Sequence, residues 1–477
     1  MSLKRQAISG VKWNFVQQFS VQIISFAVQV ILARLLMPEM FGLIAMIIVF
    51  ISIGQKLMDS GMTSSLIRTD SPTQIDYSTV FMTNMIMSIA IYAFTYLLAP
   101  YIASFYDQEV LTHIVRIFAL SFIINAFVAV HIAKLTKEMN FKKQMTLQVP
   151  STLLSGLVGI AMAYMGYGVW SLVWMNLARS LFFAIQAWFF IDWKPSFLFN
   201  IERFIYHFKF GYKLTLAGLI DTIYNDSYRI VIGKFFNPAA VGFFNHAETM
   251  RLFPVNQISS VIGKVTYPLF SNISNDEDLK RAYAITMKLI LLITIPLMLS
   301  LILIAEEGFR FVFGEKWLQS VPYFQVLALA SIIRPLSTYN LNILKVKGRS
   351  DLFLKLEVLK KVMGVLFLII GLKFGIEGLV ISLTTYSYIS CFINMYYSGK
   401  LISYSLIQQL IDIKHLYIVS VVVMVLMFII KSYLDHYIQF DFLRVILYSL
   451  CLISLYLIAI LSYDKKLYLT IKNYKKD

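Results

Sequence analysis

The run Leu289-Ile-Leu-Leu-Ile-Thr-Ile-Pro-Leu-Met-Leu-Ser-Leu-Ile-Leu-Ile304 contains no charged side chain and is long enough to cross most of a bilayer. Similar runs recur along the 477-residue chain, for example at 418–430. Hydrophobic residues make up 58% of the chain and charged residues 14%, against about 45–50% and about 25% in soluble domains. With a mean hydropathy of +0.72, this composition predicts an all-α, polytopic membrane protein without a separate water-soluble domain.

Hydropathy along the chain predicts about fourteen transmembrane helices. They lie near 11–33, 41–58, 78–99, 112–133, 146–165, 168–190, 208–232, 244–270, 284–305, 320–344, 353–372, 376–398, 415–433 and 442–463. We expect no cleaved signal peptide, because the first apolar stretch is too long and no small-residue cleavage site follows it. Cys391 and Cys451 lie within apolar segments, which predicts packed thiols rather than a disulfide or a metal site.

The distribution of basic residues predicts the orientation of these helices. The chain has 42 Lys and Arg against 26 Asp and Glu, a net charge of +16. Cytoplasmic loops of membrane proteins are enriched in Lys and Arg. With a cytoplasmic N-terminus, the inside face collects Lys4, Arg5, Lys12, Lys134, Lys137, Lys142, Lys143, Lys345, Lys347, Arg349, Lys465, Lys466, Lys472, Lys475 and Lys476. Both termini are therefore predicted in the cytoplasm, and the charge excess is explained without nucleic acid.

A short motif occurs twice, 200 positions apart. Ala33-Arg-Leu-Leu-Met-Pro-Glu-Met-Phe-Gly42 and Gly233-Lys-Phe-Phe-Asn-Pro-Ala-Ala-Val-Gly242 share the order basic, two apolar, any, Pro, three residues, Gly. Weaker matches follow in the same order, such as Gly166 with Gly375. We interpret them as two parallel, pseudo-symmetric six-helix bundles at 1–199 and 200–400, followed by two further helices and a basic tail at 401–477.

Polar residues recur at helical spacing inside several predicted spans. Ionisable side chains at membrane depth cost about 2.5–3.5 kcal/mol each, so they usually face a cavity or a partner. The polar positions are Gln22 and Gln29 in span one, Arg179 in span six, Asp221, Tyr224, Asn225, Asp226, Tyr228 and Arg229 in span seven, Glu248, Arg251 and Lys264 in span eight, and Arg334, Thr338 and Asn342 on one face of span ten. Equivalent stripes in the two halves predict a water-accessible cavity between them, and most of its fixed charges are positive.

A cationic cavity suits an amphiphile with an anionic, sugar-bearing head, because arginine binds phosphate oxygens in a bidentate fork. Tyr224 and Tyr228 are candidates for stacking on sugars. Two alternatives remain open. Asp226 with Arg229, and Glu248 with Arg251, are each three residues apart and would neutralise one another along one helix. Lys264 would instead extend its ammonium group to the cytoplasmic interface.

The sequence shows none of the catalytic motifs expected of an enzyme that acts on lipid-linked sugars. Asp276-Glu-Asp278 is interpreted as the acidic start of a helix rather than as a metal site. The six histidines show no His-Glu-x-x-His spacing, and no Gly-rich phosphate loop is present. We therefore predict no catalytic residue, no metal, no cofactor and no ATP-driven transport.

Several motifs together resemble those of polysaccharide-exporting flippases. Besides the motif at 33–42, they are Asp59-Ser-Gly-Met-Thr-Ser-Ser-Leu-Ile67, Phe141-Lys-Lys143, Gly166-Tyr-Gly-Val-Trp170, Ile232-Gly-Lys234, Phe313-Gly-Glu-Lys-Trp317 and Gly348-Arg-Ser-Asp351. Over about 30–400 the chain is similar to the O-antigen and colanic-acid type within the multidrug, oligosaccharidyl-lipid and polysaccharide exporter superfamily.

The resemblance implies two six-helix bundles in a V, alternating access and a place in the bacterial inner membrane. It implies movement of an undecaprenyl-diphosphate-linked oligosaccharide to the periplasmic leaflet, for lipopolysaccharide or exopolysaccharide synthesis. A polysaccharide polymerase is an expected partner, besides membrane lipids. Arg229, Arg251 and Arg334 would hold the diphosphate, while Asp221 and Asp226 are candidates for coupling to H+ or Na+. The alternative is a multidrug cation antiporter, which requires an acidic cavity.

Overall fold

The structure is a computed structural model that describes the backbone of residues 3–464 and the side chains of residues 9, 10 and 12–464. Over residues 3–464 the regular elements are all helical, which confirms the predicted all-α class. The predicted basic tail residues Lys465, Lys466, Lys472, Lys475 and Lys476, and the side chains of Lys4 and Arg5, lie outside the described residues.

The helices alternate with short loops from one end of the described chain to the other. In chain order they are α1 (Leu3–Leu35), α2 (Pro38–Asp59), α3 (Met62–Arg68), α4 (Gln74–Tyr106), α5 (Val110–Phe118), α6 (Leu120–Lys137), α7 (Phe141–Tyr164), α8 (Val169–Phe190), α9 (Ile201–Asn225), α10 (Ser227–Phe235), α11 (Pro238–Ser271), α12 (Asp276–Leu303), α13 (Ala305–Phe313), α14 (Ser320–Val346), α15 (Ser350–Leu372), α16 (Gly375–Leu401), α17 (Leu406–Leu434) and α18 (Asp441–Tyr463).

Each predicted span falls on one helix or on two consecutive helices. In the described part of the chain, ten stretches are long and apolar enough to cross a membrane. The predicted seventh, eighth, tenth and eleventh spans fall on α9 with α10, on α11, on α14 and on α15, which are long but too polar to meet the same standard. The chain is therefore a multi-pass membrane protein, and the number fourteen stays a prediction.

The chain packs into two compact units, which we call the N-unit (Met1–Gly242) and the C-unit (Phe243–Asp477). The N-unit includes α9 and α10, because both pack against α2 and α4. The predicted division at 1–199, 200–400 and 401–477 rests on the sequence repeat rather than on packing, and it stays a prediction.

The N-unit is built from helices that approach closely at glycines. A Cβ atom added to Gly156 of α7 would lie 2.4 Å from Cγ2 of Val28 in α1, and one added to Gly159 would lie 2.9 Å from Cβ of Met175 in α8. Small residues at such positions let membrane helices pack by van der Waals contact, because the bilayer offers no hydrophobic driving force between helices.

The two copies of the repeated motif touch one another. Pro38 begins α2 and Pro238 begins α11, where proline costs no helical hydrogen bond. A Cβ atom added to Gly42 would lie 1.7 Å from the carbonyl oxygen of Pro238, and one added to Gly242 would lie 2.1 Å from the carbonyl oxygen of Pro38. The glycine that ends each copy is thus explained by contact with the backbone of the other copy.

The C-unit is held together by buried polar contacts as well as apolar packing. The Tyr283 hydroxyl on α12 contacts Ser398 on α16 and Gln409 on α17, each at 3.2 Å. Lys431 on α17 forms an ion pair of 2.7 Å with Glu307 on α13. Since α17 and α18 both contact α12 as well, the C-terminal helices pack directly on the rest of the C-unit.

The Asp276-Glu-Asp278 segment forms the first turn of α12, where Asn275 accepts a hydrogen bond from the backbone N–H of Glu277 at 3.0 Å. Arg281 pairs with Glu277 and Asp278 at 4.0 Å. Acidic residues at a helix N-terminus interact favourably with the helix dipole. This agrees with the predicted helix start.

We expect Gly42→Ala to lower the free energy of unfolding by about 1–3 kcal/mol, because the added methyl group overlaps the Pro238 backbone. Thermal unfolding of the purified protein in detergent measures the effect. Gly308→Ala is the matched control, because a Cβ atom there meets nothing within 4 Å. Equal unfolding temperatures for the two variants would contradict the proposed contact.

Candidate functional site

Three basic residues of the C-unit line one cavity, which we call the C-unit cavity. Arg251 of α11 and Arg334 of α14 face a cavity of about 330 Å³, and Lys345 lies at the end of α14 on the same cavity. The other lining residues are Ala330, Ile333, Ser337, Thr338, Leu341, Asn342, Phe353, Tyr386, Ser387 and Ser390. Among the described residues that line this C-unit cavity, none is acidic, so its wall is cationic and otherwise neutral.

The side chain of Arg251 is held in place from two sides. It is 4% exposed, and its Nη1 donates to Ser331 Oγ at 3.3 Å while its Nη2 pairs with Glu248 Oε1 at 3.4 Å. The predicted pairing of Glu248 with Arg251 along one helix is therefore present. Arg251 nevertheless lines the cavity, so the ion pair orients the guanidinium without removing it from the site.

Arg334 reaches the cavity from α14 at a point where that helix contains a proline. Pro335 has no N–H to donate to the carbonyl of Ser331, which weakens the helix one turn before Arg334. Unlike Arg251, the Arg334 side chain is exposed. Thr338 and Asn342 follow Arg334 at intervals of four and line the same cavity. The predicted polar face of span ten is thus the wall of the C-unit cavity.

The polar stripe predicted in span seven is interrupted. Hydropathy predicts one helix over 208–232, whereas α9 ends at Asn225 and α10 begins at Ser227, with Asp226 between them. The Ser227 hydroxyl donates to the carbonyl of Tyr224 at 2.7 Å, which competes with the helical hydrogen bonds at this point. Asp221 and Asn225 therefore lie on α9 and Arg229 on α10, so the predicted single helix is two consecutive helices.

The remaining predicted site residues lie in different surroundings. Arg229 forms an ion pair with Asp226, so this predicted alternative is also present. Asp221 and Asn225 are exposed, Tyr224 is half-buried, and Tyr228 is buried. Gln22 and Gln29 are half-buried on α1, and Lys264 is exposed on α11. Arg179 lines a second cavity within the N-unit. Among all the predicted site residues, Arg251 and Arg334 are the two that line the C-unit cavity together.

A buried hydrogen-bond network, which was not predicted from the sequence, attaches α9 to the rest of the N-unit. His207 of α9 is fully buried, and its Nε2 lies 3.1 Å from Asp76 Oδ1 while its Nδ1 lies 2.9 Å from Ser65 Oγ. Lys56 Nζ donates to the carbonyl of Gly218 at 2.6 Å. A Cβ atom on Gly61 would lie 2.4 Å from the carbonyl oxygen of Gly211. The motif at 59–67 is thus the docking surface for α9.

One signal in the sequence could have revealed this contact. The face of α9 that docks is His207, Gly211, Thr215, Gly218 and Thr222, which are small or polar residues at intervals of four, four, three and four. A stripe of small residues at this spacing is typical of a membrane helix that packs closely on a neighbour. Thr73-Gln-Ile-Asp76 is also a capping box, and both of its reciprocal hydrogen bonds are present at the start of α4.

We expect His207→Ala to lower the free energy of unfolding by about 1–3 kcal/mol, because it removes a buried hydrogen-bond partner from both Asp76 and Ser65. Thermal unfolding and amide hydrogen exchange along α9 measure the loss of docking. His113→Ala, at an exposed position of α5, is the matched control. Unchanged exchange along α9 in His207→Ala would contradict the docking role.

The arrangement in the C-unit cavity favours the binding of an anion. The exposed guanidinium of Arg334 presents a planar fork of N–H donors, whereas that of Arg251 is held by Glu248 and Ser331 on the same cavity. Hydroxyl and amide groups of Ser337, Thr338 and Asn342 line this cavity as well. Phosphate oxygens match the Arg334 fork, and the carboxylate of Glu248, which is not among the described lining residues, is paired with Arg251. In the part of the chain that the structure describes, no cluster of His, Cys, Asp or Glu could hold a metal ion.

Comparison with known proteins agrees with a transport role. A family model for "polysaccharide biosynthesis protein" matches residues 31–322, which is more than half of the chain. The chain is 27% identical over 357 residues to the teichuronic acid biosynthesis protein TuaB of Bacillus subtilis, covering 74% of this chain and 73% of that protein. It is 22% identical over 374 residues to the lipopolysaccharide biosynthesis protein WzxC of Escherichia coli, covering 78% and 76%.

Solved structures show the same fold. The lipid II flippase MurJ in an inward closed conformation matches with a TM-score of 0.77 at 16% identity, covering 95% of this chain and 99% of MurJ. An inward-facing multidrug transporter of the MATE family, in the MOP superfamily, matches with a TM-score of 0.63 at 16% identity, covering 80% and 94%. These matches confirm the predicted superfamily fold. The relatives and neighbours with named activities are transporters, which confirms the prediction of a non-enzyme.

Proposed function

The chain belongs to the polysaccharide biosynthesis protein family, and we propose that it is a flippase for an undecaprenyl-diphosphate-linked oligosaccharide. It moves this lipid from the cytoplasmic to the periplasmic leaflet of the bacterial inner membrane by alternating access. Both termini lie in the cytoplasm, and a polysaccharide polymerase uses the product. The names of WzxC and of the succinoglycan biosynthesis transport protein ExoT of Rhizobium meliloti support this class of substrate.

One observation carries the proposal. Arg251 and Arg334 share a cavity in which no described lining residue is acidic. The guanidinium groups of these two arginines bind the anionic oxygens of a diphosphate. The lipid tail remains outside the cavity, in the bilayer. Charge thus distinguishes this site from one built for a cationic drug.

The remaining predicted residues serve the same substrate in this proposal. Arg229 and Lys264 add positive charge to the cavity that the sequence predicts, and Arg179 adds it within the N-unit. Asn225, Tyr224, Tyr228, Gln22 and Gln29 bind sugar hydroxyls and sugar rings in the chamber predicted between the halves. These roles follow from the polar stripes of the sequence, and exposure of Asn225 on α9 is compatible with them.

We expect Arg334→Ala and Arg251→Ala each to reduce surface polysaccharide at least roughly ten-fold, because each removes a charge-assisted contact of about 1.5–3 kcal/mol. The measurement is surface polysaccharide in a strain that lacks the chromosomal gene, normalised to the amount of protein in the membrane. Arg334→Lys keeps the charge but loses the fork, so it should retain partial activity.

Arg281→Ala is the matched control, because Arg281 is exposed at the start of α12 and pairs there with acidic residues of the same helix. It should leave polysaccharide unchanged. Wild-type polysaccharide in both cavity variants, at wild-type protein levels, would exclude the C-unit cavity from transport.

The alternative is a multidrug cation antiporter, since a MATE transporter shares the fold. A cationic cavity opposes the binding of a cationic drug by like-charge repulsion. Drug susceptibility of the deletion strain separates the two functions. The flippase proposal predicts unchanged susceptibility and lost polysaccharide.

Coupling to H+ or Na+ is a further part of the proposal. Asp226 is paired with Arg229, and Asp221 lies at an exposed position one turn before the end of α9. We expect Asp221→Asn to abolish the dependence of transport on the ion gradient, because the amide cannot exchange a proton. Transport into vesicles with and without an imposed gradient measures this, with Asp226→Asn in parallel. If Asp221→Asn transport depends on the gradient as the wild type does, Asp221 is not the coupling residue.

A further inference from the structure

Arg179 places a positive charge in the middle of a membrane-spanning helix of the N-unit. It lies near the centre of α8, one of the stretches long and apolar enough to cross a membrane. No residue in the described part of the chain forms an ion pair or hydrogen bond with its guanidinium. A charge in the bilayer interior without counter-charge is costly, so it usually marks a site that a ligand or water completes.

The guanidinium faces a cavity of about 320 Å³ between α6, α7 and α8. This N-unit cavity is lined by residues of the N-unit, and none of its described lining residues is acidic. Its volume is at the lower end of small-molecule sites, which span about 300–1,000 Å³. That space suits a single sugar ring rather than a whole oligosaccharide.

The amides around the cavity keep hydrogen-bonding groups for a ligand. Gln144 Nε2 donates to Thr136 Oγ1 at 2.8 Å, and Asn125 Nδ2 donates to Gln55 Oε1 at 2.9 Å. Both side-chain carbonyl oxygens can therefore accept hydrogen bonds from hydroxyl groups. Gln148 Oε1 accepts from Gln17, so the Gln148 amide N–H groups can donate.

One wall of the cavity is apolar. Phe183 lies on α8 one turn after Arg179, and Ile132 faces it from α6. The face of a sugar ring carries C–H groups that pack on such surfaces, while its hydroxyl groups need amide partners. An apolar wall, two amide acceptors, an amide donor and one arginine fork together match a sugar with one carboxylate.

We propose that the N-unit cavity binds an acidic sugar, a hexuronate or a sugar of similar charge, with its carboxylate on Arg179. The inference rests on the proposed function and extends it, since it identifies one component of the transported glycan. A planar carboxylate accepts both N–H groups of a single guanidinium fork. A diphosphate carries more charge than one arginine neutralises, and two arginines line the separate C-unit cavity.

Ligand-observed NMR on the full-length protein in detergent tests the proposal, with methyl α-D-glucuronide as the probe. Methyl α-D-glucoside, acetate and inorganic phosphate are the comparison ligands. We expect the glucuronide to bind at least roughly ten-fold more tightly than the glucoside, and Arg179→Gln to remove that difference. Arg179→Lys should retain part of it. Arg281→Gln is the matched control and should bind as the wild type does.

The outcomes separate this inference from the proposed function. Equal binding of glucuronide and glucoside, or unchanged glucuronide binding in Arg179→Gln, would overturn the acidic-sugar site. Phosphate or acetate that displaces the glucuronide at equal concentration would identify a general anion site instead. Undecaprenyl diphosphate is titrated in parallel: its binding should persist in Arg179→Gln and weaken in Arg334→Gln. Loss of that pattern, with the glucuronide result intact, would count against the flippase and not against the sugar site.

Discussion

The structure depends on how the arginines of its membrane-spanning helices are compensated. An arginine in hydrocarbon needs a carboxylate, water or a ligand, because the bilayer itself supplies none of them. Arg251 meets this need in part through Glu248 and Ser331, whereas Arg334 lies open on the same cavity. Arg179 has a cavity of its own and no described protein partner. In the function proposed above, an anionic substrate supplies the negative charge that pairs with these arginines.

Polar residues also explain why four of the predicted spans are not recognised as membrane-spanning from their hydropathy. α9, α11, α14 and α15 are long helices, yet they are too polar to be recognised as membrane spans by composition. Arg251 lies on α11 and Arg334 on α14. α9 carries Asp221 and the stripe of small and polar residues that packs against the rest of the N-unit. In α11 and α14, the polarity that weakens the hydropathy signal thus includes the two arginines of the C-unit cavity.

The sequence predicted the features that depend on local pattern. Helices at the predicted spans, the acidic start of α12, the polar face of α14 and the repeated motif at 33–42 and 233–242 all rest on periodicity or short motifs. The glycines of that repeat, Gly42 and Gly242, gained their physical reason only from the structure, where each touches the backbone of the other copy.

Contacts between residues distant in the chain could not be predicted in this way. His207, Asp76 and Ser65 come from three helices, and nothing in their spacing shows that they meet. The break at Asp226 was also missed, because it depends on a local hydrogen bond from Ser227 rather than on hydropathy. A single sequence predicts which residues share one face of a helix, whereas the contacts between helices are seen only in the structure.

The central claim is that the C-unit cavity holds the diphosphate of a lipid-linked glycan. An experimental structure of the full chain in a lipid nanodisc with undecaprenyl diphosphate tests it most directly. Density for the diphosphate within hydrogen-bonding distance of the Arg334 and Arg251 guanidinium groups is the predicted result. Well-resolved diphosphate elsewhere, with water or lipid tails filling the space beside these two arginines, would contradict it.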